Sequence, residues 1–414
     1  MKTAAPQRAV VAVESIASGG DGVGRTEGLV VFTPRTAPGD VAEIDLVPGG
    51  RFARGTLRAL QSASAQRVDP TCVHYTRDKC GGCQLQHVSY DAQLSAKSRI
   101  VADALRRIGH REAEAPVVRP APAPWRYRSK LTLAMRRRGS EWFAGLHPYD
   151  APGRVFPVTD CPITDERVLA VWRDVLAAAI DLPDARELRG AVRVDDAGAS
   201  FTLEGGDAWP RSEAFFASVP ALTSLWWTAQ LGVRRRLHSR ATDAAPGASF
   251  SQVNLGVAGE LQAHVVACAL AHDPKSLVDA YAGLGDTAAV AAAKGVRVTA
   301  IELDEDAAAW CAARLPAGAR TITARVEDVI ATLLPVDVVV LNPPRAGVDQ
   351  RVTAALDRAA PEMRALVYVS CDPATLARDL ARLPAWRIAG LTCFDMFPQT
   401  AHVETVCELV PEAA

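Results

Sequence analysis

The chain of 414 residues reads as an α/β protein in three parts: a small amino-terminal β-barrel, a central α+β region, and a carboxy-terminal doubly wound parallel sheet. Three observations predict this. Short alternating apolar strands with Gly and Pro turns fill the first sixty residues, cysteines and basic aromatic stretches fill the middle, and from Ser249 apolar strands alternate with Ala-rich helices. The expected divisions are residues 1–62, 63–245 and 246–414.

Composition sets the bounds. With 49% hydrophobic and 22% charged residues the chain is an ordinary globular protein with ample core. No apolar stretch is long enough to span a bilayer and the amino terminus lacks a signal-peptide pattern, so a cytoplasmic monomer is expected. Nine scattered cysteines argue for reduced thiols, metal ligands or catalysis rather than a disulfide framework. The net charge of -1 hides an asymmetry, because residues through Asp150 hold 22 Lys and Arg against 14 Asp and Glu. A basic front half suits a polyanionic partner.

From Ala9 to about Leu60, turn signals such as Ser18-Gly19-Gly20-Asp21-Gly22 and Pro48-Gly49-Gly50 separate short strands, as in an oligonucleotide-binding barrel. A basic helix is expected from about Asp91 to Ile108, with Lys97, Arg99, Arg106 and Arg107 on a solvated face. The Pro- and Ala-rich stretch from Glu112 to Pro124 reads as a linker. Beyond it, Trp125-Arg126-Tyr127-Arg128 and Arg136-Arg137-Arg138 interleave charge with aromatics, as in strands that grip a nucleic-acid backbone.

Cys72, Cys80 and Cys83 stand at x7 and x2 spacing with Gly81-Gly82 allowing a tight bend, and Cys161 lies downstream in a turn. Four thiolates suit either a [4Fe-4S] cluster or a tetrahedral zinc.

In the last part, Ser276–Tyr281 is a buried strand leading through Ala282-Gly283-Leu284-Gly285-Asp286 into a helix, and the next strand ends in Glu302. Such glycines let the backbone approach a ligand, and a carboxylate there can accept from ribose hydroxyls. Two glycines rather than three favour S-adenosylmethionine over a dinucleotide. A third apolar strand from Val336 runs into Asn342-Pro343-Pro344-Arg345. Such a turn also occurs in amino-directed methyltransferases, but Arg345 stands where they carry an aromatic. Leu366–Ser370 then delivers Cys371 to a strand's carboxyl end ahead of a helix whose dipole is expected to lower the thiol pKa. Late in the chain, an alternating strand presents Glu404.

Taken together, these residues resemble the RNA uracil-5-methyltransferase family, notably its 23S ribosomal RNA branch, over essentially the whole chain. The motifs that carry the resemblance are the TRAM-like barrel, Cys80–His87 (Cys-Gly-Gly-Cys-Gln-Leu-Gln-His), Phe250-Ser251-Gln252-Val253-Asn254, the Pro-Pro-Arg turn, and Ser370-Cys371 with His402-Val403-Glu404. The resemblance implies a Rossmann-like methyltransferase domain and a [4Fe-4S] cluster on Cys72, Cys80, Cys83 and Cys161. It implies S-adenosylmethionine contacts at Gln252, Tyr281, Asp286, Glu302 and Asn342. Cys371 is then the nucleophile and Glu404 the base, and the partner is RNA, ribosomal first and transfer RNA second. The chain departs from the family pattern at Asn342 in place of Asp, Ala282 in place of a frequent Cys and Asp286 in place of Asn, and the first cysteine spacing is longer. An Asn can donate where Asp only accepts, which bears on substrate choice more than on reaction class.

Overall fold

The computed structural model describes residues 7–139, 141–230, 232–240 and 252–412. Two compact units form: one from the chain up to Asp69, Gln84–Pro122 and Val257 onward, the other from Pro70–Cys83 and Ala123–Gly256. The segment Gln84–Pro122, inside the expected central region, thus belongs with the first unit.

The first unit opens with β1 (Gln7–Ile16), β2 (Gly22–Thr26), β3 (Leu29–Thr33), β4 (Val41–Pro48) and β5 (Phe52–Ser62). They close a barrel in the order β1-β2-β3-β5-β4. Strand alternation explains it: Val11, Val31, Ala42, Ile44 and Ala53 are buried inside, while Arg25, Arg51 and Arg58 point to solvent. Gly24 is required because a Cβ there would run into Val11 and the Ala12 carbonyl of β1. This is the expected barrel.

The expected basic helix spans Tyr90–Arg107. Lys97, however, does not lie on a solvated face. It is fully buried, its ammonium paired with the equally buried Asp395 and donating to the Phe397 carbonyl at 3.0 Å. Helical spacing placed Lys97 among charged neighbours, but only the docking of the helix on the late loop shows that its carboxylate partner lies almost three hundred residues away. The expected linker also contributes structure: β6 (Val118–Arg119) pairs in parallel with Cys393 and Phe394 at a sheet edge. Pro residues flanking it are tolerated because an edge strand bonds on one side only.

The second unit is a seven-stranded sheet built from β7 (Lys130–Arg138), β8 (Glu141–Leu146), β9 (Phe156–Pro157), β10 (Glu187–Asp195), β11 (Gly198–Glu204), β12 (Leu222–Thr228) and β13 (Arg235–Ser239). Their order is β13-β12-β11-β10-β7-β8-β9. The helix Glu166–Ala177 covers one face, where the Trp172 indole donates to the Leu131 carbonyl at 3.1 Å and packs edge-on against Phe201.

The first unit ends in β14 (Ser276–Ala280), β15 (Arg297–Glu302), β16 (Arg320–Thr323), β17 (Val338–Leu341), β18 (Ala365–Ser370), β19 (Trp386–Phe394) and β20 (Glu404–Pro411). The sheet order is β16-β15-β14-β17-β18-β20-β19-β6, with β14 to β18 mutually parallel and β20 antiparallel to both neighbours. Helices cover both faces, so β17 and β18 are buried at every position and, but for the terminal Ser370, apolar or aromatic; Val339, Leu341 and Tyr368 face one core, Val338, Val340 and Val367 the other. The strand expected third in this run is fourth, because the short, half-polar β16 lacks that signature. Among the described residues no helix is long and apolar enough to cross a membrane.

Burial lowers the Lys97 pKa and its pairing with Asp395 opposes that shift. Lys97→Met is therefore expected to cost about 3–5 kcal/mol by stranding the carboxylate, and Lys97→Met with Asp395→Leu to recover most of it. Denaturant midpoints of the two variants check this; equal losses would contradict it.

Candidate active site

The donor-type loops sit at the carboxyl ends of the parallel strands, where open α/β sheets bind ligands. After β14 the chain turns through Tyr281 (φ 63°), Gly283 (φ 57°) and Gly285 (φ 81°) into the helix Asp286–Ala293. Gly285 caps that helix in the left-handed conformation, and a Cβ there would strike Cys311. The loop is held from below by Asp279, a buried carboxylate that accepts from the Ala288 amide at 3.0 Å and whose pKa burial pushes up to about 7. Nothing in the motif reading singled out Asp279, although a lone charge inside Leu277-Val278-Asp279-Ala280 was a visible signal.

Glu302 ends β15 as expected, but its carboxylate already serves the backbone. It accepts from Gly283 at 2.7 Å and from Leu303 and Asp304 at 2.8 Å. An ionised carboxylate has about four acceptor sites, so it shapes the glycine loop and retains capacity for one more donor. Asp286 is exposed and bonded at 2.7 Å to Arg314, which also donates to the Leu284 carbonyl. Tyr281 is half-buried, and burial raises its pKa. Asn342 is exposed at the end of β17, with its amide donating to the Ala280 carbonyl at 3.2 Å. Tyr281, Asp286, Glu302 and Asn342 therefore gather around the β14, β15 and β17 strand ends. Gln252 lies in the second unit, beside Val253, whose carbonyl accepts from Ser129 N at 2.7 Å; Phe250 and Ser251 fall outside the described residues.

Cys371 follows β18 and is partly buried; Glu404 opens β20 and is 3% exposed. The antiparallel register pairs Leu366 with Leu409 and Ser370 with Thr405, so the next step sets Cys371 opposite Glu404. Burial pushes the Glu404 carboxyl up to about 7, with the Arg345 charge pulling the other way. For Cys371 the expected lowering does not occur: burial, then the Glu404 charge, raises the thiol pKa, and Arg345 opposes them. The dipole of the helix Pro373–Leu380 is thus outweighed by desolvation and a neighbouring carboxylate. Arg345 acts on both groups, a role invisible in a turn motif.

The two halves of this arrangement are stitched together by Asp379, a buried carboxylate in the helix after Cys371. It accepts from the Tyr368 hydroxyl at 2.8 Å, the Val348 amide at 3.0 Å and Arg378 at 2.7 Å. Thr375 and Arg378 donate to the Arg345 and Ala346 carbonyls at 3.2 and 2.8 Å. The Pro-Pro-Arg turn is therefore fastened to the thiol's own helix.

In the second unit, Cys72, Cys83 and Cys161 share a buried cluster with Tyr75, Tyr127 and Ile163. Cys80 Sγ accepts from the Gly82 amide at 3.4 Å inside the bend. Among the described residues no three His, Cys, Asp or Glu side chains converge as ligands of a single metal ion. Of the basic stretches, Arg126 forks onto Asp160 at 2.8 and 3.1 Å, Arg137 pairs with Asp184 at 3.0 Å and lies over Trp142, and Arg138 lies over Phe143.

A parallel sheet with a glycine turn, a strand-end carboxylate and a facing thiol and glutamate defines a nucleotide-type methyl-donor fold. Residues 317–410, which contain Cys371 and Glu404, match the family model described as tRNA (Uracil-5-)-methyltransferase, and residues 7–47 match the TRAM domain. RNA methyltransferases of Thermosynechococcus vestitus and Rhizobium meliloti are 31% and 32% identical, each covering 96% of this chain and 96% and 98% of their own. A crystal structure of Pyrococcus abyssi tRNA (uracil-54, C5)-methyltransferase in complex with S-adenosyl-L-homocysteine superposes with a TM-score of 0.73 at 24% identity, over 97% of this chain and 99% of that one. The chain belongs to the RNA methyltransferase family of these relatives and carries a tRNA (Uracil-5-)-methyltransferase domain match over residues 317–410.

The raised Glu404 pKa has a consequence for stability. Between pH 4.5 and about 7 the native chain holds a proton that the unfolded chain has lost, so this group's contribution to stability falls as pH rises through that window. Glu404→Gln is expected to gain on the order of 3 kcal/mol over the parent at pH 8 and nothing at pH 4. Urea midpoints across this range check it; parallel pH profiles would refute it.

Proposed function

We propose that this protein methylates C5 of a uridine in structured RNA through a covalent bond from Cys371 to C6, with Glu404 as the base. The observation that carries the reading is the β18–β20 register, which puts the thiol and a buried, proton-hungry carboxylate opposite one another beside Arg345.

Uracil C5 is a poor nucleophile until a thiolate adds to C6 and shifts electron density onto it. Cys371 supplies that thiolate; with its pKa raised, its proton must pass to solvent water before the uracil ring closes over the thiol, leaving Glu404 ionised, and Arg345 is the cation that favours the thiolate. The glycine turn with Tyr281, Asp286, Glu302 and Asn342 would hold S-adenosylmethionine, Gln252 being the further contact that the family resemblance implies, and the bound donor would supply an electrophilic methyl to C5 with S-adenosylhomocysteine as the leaving group. Glu404 then takes the C5 proton, the C6–S bond breaks, and the thiolate returns. The target base has to be unstacked to reach the strand ends, so a loop in RNA is the expected address, with the TRAM barrel as an RNA-binding element. Large-subunit ribosomal RNA comes first, on the resemblance of the barrel and cysteine set; the match to a transfer-RNA-named family model makes transfer RNA the second address. The work takes place in the cytoplasm.

Cys72, Cys80, Cys83 and Cys161 are proposed to hold a [4Fe-4S] cluster. The fit rests on three of the four thiols lying in one buried, aromatic-lined group and on the buried Cys80 set two glycines before Cys83, its Sγ accepting from the Gly82 amide in that bend. A four-iron cluster takes each thiolate at a separate iron, so it needs no convergence on one point, as zinc does. The cluster would supply a rigid cross-link here. Protein prepared without oxygen is expected to carry about four iron and four sulfide per chain, and zinc in their place would overturn the assignment.

Cys371→Ala should abolish methylation, whereas Glu404→Gln should accumulate an RNA adduct seen as a shifted band on a denaturing gel. Full activity in Cys371→Ala would select an amino-directed methyltransferase built on Asn342 instead. Mass-spectrometric mapping of 5-methyluridine in ribosomal and transfer RNA from a deletion strain gives the address.

A further inference from the structure

The stretch between β19 and β20, residues 395–403, has no regular structure yet is buried almost throughout. Buried irregular backbone needs partners for its amides and carbonyls. Some come from within the loop and from Arg119 of β6, and those of Gln399 come from the segment just after Cys83 and the helix that follows it. Gln399, 4% exposed with φ 69°, gives its amide to Gln93 Oε1 at 2.9 Å and receives Gln93 Nε2 on its own Oε1 at 3.0 Å. Its carbonyl accepts from the Gln84 and Leu85 amides at 3.2 and 3.0 Å. Gln93, 1% exposed, also donates to the Val88 carbonyl at 2.8 Å. Ala401 packs with Leu85 and Val88 in the same buried group. Five residues after Gln399 the chain delivers Glu404.

We propose that Gln93 and Gln399 are positioning residues for proton abstraction, a reciprocal amide clamp that fixes the loop carrying Glu404 against the segment Gln84–Gln93. The clamp touches neither donor nor base, and it rests on the reading of Glu404 as the base. A left-handed, non-glycine Gln399 persists only where its surroundings over-determine it, and here its backbone N–H, its carbonyl and its side-chain Oε1 are all bonded to that segment. The Cys-Gly-Gly-Cys-Gln-Leu-Gln-His motif thus has a second half with its own work: Gln84 and Leu85 hold the catalytic loop by their backbone amides.

Gln93→Leu removes the clamp at nearly constant volume. Turnover is expected to fall about tenfold or more, since small displacements of a catalytic group cost rate steeply, with KM for RNA and for S-adenosylmethionine within about twofold. Slowing the base's step should also raise the fraction of enzyme trapped as the Cys371 adduct, an outcome that loss of stability alone does not produce. Gln93→Glu keeps the bond accepted from the Gln399 backbone N–H and loses those donated to Gln399, Val88 and Leu85; it is expected to fall between, and it carries the test if Gln93→Leu does not fold. Glu404→Gln runs beside them as the reference. Folded variants with parental turnover and no extra adduct, while Glu404→Gln traps RNA, overturn the positioning role and leave the base assignment standing. Absence of adduct in Glu404→Gln overturns the base assignment, and the clamp's role with it.

Discussion

The antiparallel pairing of β20 between β18 and β19 is the constraint on which the rest depends. A strand inserted from the end of the chain brings a carboxylate to the tip of a parallel strand that ends in a thiol. Because side chains alternate with a period of two, a slip of one residue would turn Glu404 to the other face and leave Cys371 opposite a neighbour without acid-base chemistry. Burial does the remaining work. The same desolvation that raises the Glu404 pKa raises that of the thiol, and among the described residues the cation acting on both is Arg345, fastened by Thr375 and Arg378 to the thiol's helix.

The first unit is economical in how it secures this arrangement. Carboxylates near the strand ends are largely spent on holding the chain: Glu302, expected as a ligand contact, on three amides, Asp279 on a helix amide, Asp379 on a hydroxyl, an amide and guanidinium groups. These bonds are to charged acceptors, stronger than neutral ones, and they rigidify loops that have no sheet or helix ladder of their own. The helix Tyr90–Arg107 does the same for the loop before β20 through Lys97 and Gln93.

Alternation gave the barrel and the apolar runs gave the parallel strands, because burial on one or both faces writes itself into residue order. The short β16 and the two-residue β6 escaped, since an edge strand needs neither full apolarity nor length. The thiol's pKa was misjudged because helix position is local and desolvation is not. Lys97 was misplaced because its partner is distant in sequence.

By itself, then, the sequence determined the kinds of element, the glycine turn that lets a ligand close to the backbone, the chemical types at the strand ends, a thiol, a carboxylate and an arginine, and the presence of four further cysteines outside that sheet. These are properties of short windows, set by side-chain period, backbone freedom and functional group. Only the tertiary structure decided that Glu404 faces Cys371, that Arg345 bears on both, that Lys97 is buried, and that Gln93 grips the loop before the base. Each of these is a pairing across a long separation in the chain, fixed by sheet order and by how one helix docks, and neither is written in any local run of residues.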